Sequence, residues 1–90
     1  MFISYSYPAV LKAEKVNLSA GKSATAVDTR GLSAQVKIID GSCFICGSGC
    51  NPTQNCFPLE KGDTLCFSGV LKILPGSSGV DARIIYFDSI

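Results

Sequence analysis

Between residues 33 and 40 apolar and polar side chains alternate: Ala34, Val36 and Ile38 fall on one face, Gln35 and Lys37 on the other. A period of two is the mark of a strand with one buried face. The period returns over residues 80–87, where Val80, Ala82, Ile84 and Tyr86 oppose Asp81 and Arg83. Ile85 and Phe87 break that second alternation, and two large apolar groups on an outer face predict cover by another chain. Shorter strand-like spells occupy residues 9–18, 23–28, 43–46, 57–59, 64–67 and 70–74. Turn residues separate them at 19–22, Arg30-Gly31, Asp40-Gly41, 47–55, 60–63, Ser68-Gly69 and 75–79. Asp40-Gly41 is the strongest short hairpin signal among these. The pattern predicts an all-β fold, a small antiparallel β-sandwich or jelly-roll-like barrel of about seven short strands. Its expected core is Val36, Ile38, Leu65, Phe67, Val80, Ala82, Ile84 and Tyr86.

Ninety residues predict one domain spanning 1–90, with residues 1–8 as an N-terminal arm. The chain is 47% apolar and 17% charged, against about 25% charged in an average soluble protein. So few charges on a small, surface-rich chain predict a homo-oligomer. The net charge is +1, with lysines and arginines scattered singly. That argues against nucleic-acid binding by phosphate neutralisation, which needs a basic face. No apolar run approaches the roughly 18 residues that span a membrane as a helix. The first fifteen residues lack the basic region and unbroken apolar stretch of a signal peptide. Folding in the cytosol, with reduced thiols, is the expectation.

Four of the five cysteines crowd into GSCFICGSGCNPTQNC, residues 41–56. Cys43 and Cys46 have the spacing of one zinc knuckle, and Cys50 and Cys56 could complete a tetrahedron. Against zinc stand the loose spacing of the second pair and the absence of histidine. Phe44 and Ile45 also read as strand positions, which would send Cys43 and Cys46 to opposite faces. A disulfide is disfavoured in a reducing cell, and an odd count leaves one thiol over. The favoured reading makes Cys43, Cys46, Cys56 and Cys66 small buried hydrophobes, with Cys66 fitting best.

Candidate chemistry is sparse. Without histidine every nucleophile–histidine arrangement is excluded. The loops at 47–49 and 76–79 lack the lysine and following helix of a phosphate cradle. Asp63, after Gly62, is expected to bond backbone N–H groups in its turn. A non-enzymatic role follows as the expectation. Phe2, Tyr5 and Tyr7 are candidates for partner contact through an N-terminal arm, or for stacking against a sugar.

The cadence of the second half carries a resemblance. Residues 36–40 read VKIID, residues 57–67 read FPLEKGDTLCF, and residues 80–86 read VDARIIY. With VNLSAG at 16–21 upstream, this resembles the small all-β virion proteins of tailed bacteriophages, decoration and head-fibre-type subunits among them. The resemblance implies a structural virion protein with no cofactor, assembled in the host cytoplasm and bound to a capsid or other virion partner, often as a trimer. Phe2, Tyr5, Tyr7, Ile85 and Phe87 are the expected contacts with other chains. Two alternatives belong to other classes: a zinc-stabilised interaction module built on Cys43, Cys46, Cys50 and Cys56, and a carbohydrate-binding module that uses the tyrosines and the Gly/Ser loops.

Overall fold

The computed structural model describes residues 10–88. Four strands account for most of them: β1 (Val10–Leu18), β2 (Thr25–Cys46), β3 (Phe57–Glu60) and β4 (Thr64–Phe87), with no helix among the described residues. They form one antiparallel sheet in the order β1-β4-β2-β3.

The pattern predicts about seven short strands; the described residues form four, because most expected breaks bend a strand instead of ending it. β2 runs for 22 residues and β4 for 24, against a usual five or six. At Arg30-Gly31 both residues take positive φ, 52° and 86°. The Arg30 N–H donates to Asp28 Oδ1 at 2.9 Å. Across the ladder, Thr29 turns inward and its Oγ1 accepts the Gly69 N–H at 2.8 Å. The pairs Asp28↔Val70 and Ser33↔Ser68 flank this site, so several residues of β2 oppose Gly69 alone. This is a bulge, which bends the ribbon and tightens its twist.

Asp40-Gly41 does not make a hairpin. The chain runs on through it as β2, with Gly41 at φ 77° and register shifts on both sides. A Cβ on Gly41 would stand 2.1 Å from the Gly79 carbonyl oxygen, so this glycine is where two backbones nearly touch. Residues 75–79, expected as a loop, continue β4 past that contact. The turn at 60–63 forms as expected: Asp63 Oδ2 accepts the Glu60 N–H at 2.8 Å, and the Gly62 N–H and Asp63 carbonyl bond to Ile38.

These bends let β4 pair with both edges of β2. Residues 33–37 face 64–68 on one side and 83–87 on the other. Toward its ends, β2 pairs through residues 25–28 with 70–73 and through residues 43–46 with 72–75. Ile73 therefore lies opposite Thr25 on one side and Ile45 on the other. The stretch 70–75 bridges the two ends of β2, and the sheet turns back on itself around one core.

That core gathers Val27, Ala34, Val36, Ile38, Cys43, Ile45, Leu59, Leu71, Ile73, Val80, Ala82, Ile84 and Tyr86. The faces expected from 33–40 and 80–87 are the buried ones. Leu65 and Phe67 pack against the core only in part. Burying each large aliphatic group contributes roughly 1.5–3 kcal/mol, which offsets the ordering of two unusually long strands.

Candidate functional site

The terminal strands of the sheet, β1 and β3, keep one side of their backbone unpaired among the described residues. Among the described residues, most of the exposed large apolar side chains sit there: Val10 and Leu11 at the start of β1 and Phe57 at the start of β3, with Ile39 elsewhere. An unpaired strand is a template for further pairing, and exposed apolar groups on it favour that outcome. β3 is blunted by its length of four residues and by Pro58, which has no N–H to offer. β1 is nine residues long and contains no proline.

Along β1, Glu14, Val16 and Leu18 turn toward the interior, and Ala13, Lys15 and Asn17 face out. Glu14 is held by a small polar network. Tyr86, buried on β4, donates its hydroxyl to Glu14 Oε1 at 2.5 Å. Lys12 Nζ lies 3.5 Å from Glu14 Oε2 and 5.1 Å from the centre of the Tyr86 ring. The Tyr86 hydrogen bond, assisted by Lys12 and opposed by burial, holds the Glu14 carboxyl below its ordinary range. Burial, then the bond to Glu14 and the charges of Glu14 and Asp28, pushes the Tyr86 hydroxyl up to about 12. A cleft of about 540 Å³ opens beside these groups, between residues 12–16 of β1 and residues 25–30 of β2. Opposite charges meet across it: Lys12, Lys15 and Arg30 against Glu14 and Asp28. No single feature in the sequence marks this network, because Glu14 and Tyr86 are 72 residues apart.

Of the expected contact residues, Phe2, Tyr5 and Tyr7 lie outside the described residues. Ile85 and Phe87 sit on the outer face of β4, half-buried between neighbouring strands. Ile85 has Ala13 and Gln35 beside it; Phe87 has Val10 and Ser33.

The cysteines divide in a way that corrects the expectation of four buried thiols. Cys66 is exposed. Leu65 and Phe67 turn toward the core, so the alternation of a strand sends the residue between them outward. Cys46 and Cys50 stand as neighbours with Cα atoms 6.1 Å apart, a separation that suits a disulfide pair. The cause is local. Cys46 ends β2, and the turn at residues 47–50, closed by the Cys50 N–H on the Gly47 carbonyl at 3.4 Å, returns the chain to it. Lys72 Nζ then clamps the Cys50 carbonyl at 2.9 Å. Cys43 is fully buried, and burial first, with the Asp63 charge second, pushes its thiol up to about 11. Cys56 is half-buried; its sulfur accepts the Thr53 N–H at 3.3 Å. Cys43, Cys46, Cys50 and Cys56 do not converge, and among the described residues no group of three or more His, Cys, Asp or Glu side chains is placed to hold a metal ion.

Compared with protein-family models and with curated protein sequences, the chain matches none.

Proposed function

We propose that this chain is a non-enzymatic assembly subunit that acts by self-association and by binding a larger particle through its sheet edges. The observation that carries the reading is the placement of Val10, Leu11 and Phe57. These are large apolar side chains standing in solvent, on the two terminal strands of the sheet. Covering them removes apolar area from water at about 25 cal/mol per Å², and strand pairing supplies the backbone bonds that fix the geometry.

The doubled pairing of β2 and β4 supports a small, partly open barrel as the finer architecture. Such a unit is rigid except at its open edges, which suits a role in docking. The resemblance to phage decoration and head-fibre-type subunits supplies the setting: a virion protein assembled in the host cytoplasm, with a capsid or other virion protein as its further partner. Ile85 and Phe87, beside β1 on the outer face, extend the contact surface in this reading.

Sedimentation velocity of the wild type beside a Leu11→Lys/Phe57→Lys variant tests the proposal. The wild type is expected to sediment as a multimer, and the variant as a folded chain with most of that association lost. A wild type that stays at the 9.5 kDa monomer mass at every concentration would overturn it.

A further inference from the structure

The reading above leaves open which surface joins one copy to the next, and β1 answers in detail. Its outer edge is unpaired among the described residues, and it is long enough to carry a ladder. We propose that two copies pair β1 against β1, antiparallel, about a two-fold axis that passes through Ala13.

The register follows from elementary geometry. A two-fold axis perpendicular to a sheet keeps the inner faces of both copies on one side. Residues directly opposite across the new ladder must then share a face. Within one strand this requires the two residue numbers to have the same parity, so the axis passes through a residue and not between two. The middle of β1, Lys12 to Val16, offers five choices. An axis at Val16 would set Glu14 against the apolar Leu18 and form no opposite-charge pair. An axis at Lys12, Glu14 or Lys15 brings that residue against its own copy, like charge on like charge. An axis at Ala13 sets a small uncharged side chain against itself and Lys12 of each copy against Glu14 of the other. Opposite charges directly across an antiparallel pair are favourable, and like charges are not. Ala13 is exposed, and Lys12 and Glu14 both keep exposed surface with which to reach a partner, at 60% and 40% for the side chains. Leu11, exposed at 52%, sits at the bulge between Val10 and Lys12 and adds apolar area at the end of this contact. The contact is two-fold, so it builds dimers or even-numbered assemblies in place of the trimer that the phage resemblance implies. The inference rests on the self-association reading and adds its surface and register.

The test uses the full chain with charge exchange and cross-linking. Lys12→Glu and Glu14→Lys, made singly, place like charges in both symmetry-related pairs and are expected to weaken self-association about tenfold. The double variant Lys12→Glu/Glu14→Lys exchanges the charges and is expected to restore it, as is an equimolar mixture of the two single variants. Thermal melts of each variant confirm that the fold survives. In a Cys66→Ser background, Ala13→Cys is expected to form an intermolecular disulfide with its own copy, since facing residues in an antiparallel ladder stand about 4.5–5.5 Å apart. Lys15→Cys is expected not to. A multimer whose strength ignores these charges, or in which Lys15→Cys couples as readily as Ala13→Cys, overturns the β1 register and leaves the assembly reading in place. A wild type that never associates overturns both.

Discussion

Replacing Gly41 by alanine puts the path of β2 to a quantitative test. If Asp40-Gly41 were the tip of a hairpin, the new methyl group would project into solvent. The cost would then be the left-handed backbone alone, about 1–2 kcal/mol. In the structure Gly41 sits at φ 77° with the Gly79 carbonyl 2.1 Å from where the Cβ would be, and the Gly79 carbon at 2.9 Å. The obstacle is backbone, which cannot rotate away as a side chain can. Forcing the strands apart adds an overpacking cost of about 1–3 kcal/mol and loosens the pairs Asp40↔Asp81 and Gly41↔Val80. The expected loss is about 2–5 kcal/mol, a large share of the roughly 5–15 kcal/mol that hold a small domain folded. Gly62→Ala is the control, because Gly62 has φ 93° and nothing within 4 Å of its would-be Cβ. Urea unfolding followed by far-ultraviolet circular dichroism reads both variants. The reasoning predicts a Gly41→Ala loss well beyond the 1–2 kcal/mol of the control; equal losses would refute the continuous path of β2.

Three further predictions follow from the polar network, the cysteines and the core. Tyr86→Phe is expected to cost about 1 kcal/mol near neutral pH. Glu14's folded carboxyl lies below its ordinary 4.5, so its contribution is present above 4.5 and lost as pH falls through the lowered value. The Phe variant should therefore show a flatter acid limb in urea midpoints measured against pH. Tyr86 itself, raised from 10 to about 12, contributes below pH 10 and loses that contribution as pH rises toward 12, a loss the Phe variant should lack. A thiol assay under denaturing, non-reducing conditions should count three free thiols, from Cys43, Cys56 and Cys66, and five after reduction. In the native state Cys66 should react first and Cys43 last; five thiols without reductant would contradict the Cys46–Cys50 bond. Ile73→Ala, at a fully buried position between the two ends of β2, should lower stability by about 2–5 kcal/mol in the same urea assay. A loss under 1 kcal/mol would mean that residues 70–75 do not close the core.

The alternating faces of 33–40 and 80–87 were legible because burial on one side of a strand writes a period of two directly into the chain. Val36, Ile38, Val80, Ala82, Ile84 and Tyr86 are buried as the pattern requires. What the pattern could not convey was continuity. Glycines at 31, 41 and 69 permit positive φ whether the chain reverses or merely bends. The difference lies in partners such as Thr29 with Gly69 and Gly41 with Gly79, which are distant in sequence. Cys66 faces outward, a position its neighbours Leu65 and Phe67 already imply. A redox argument about disulfides in general names no pair, whereas the short turn that brings Cys46 and Cys50 together is written in Cys-Gly-Ser-Gly-Cys. Of the candidate contact surface, β1 was readable as a strand, but its position at the end of the sheet depends on β4 choosing it as a neighbour.

Hydrogen exchange of the backbone amides of Val10–Leu18, compared between dilute and concentrated solutions, tests most directly that this chain assembles through its open edge. The account predicts exchange in β1 that slows as concentration rises, while the exposed turn at 47–50 exchanges at one rate throughout. Exchange in β1 that is independent of concentration, in a protein that nonetheless forms multimers, would place the contact elsewhere and contradict it.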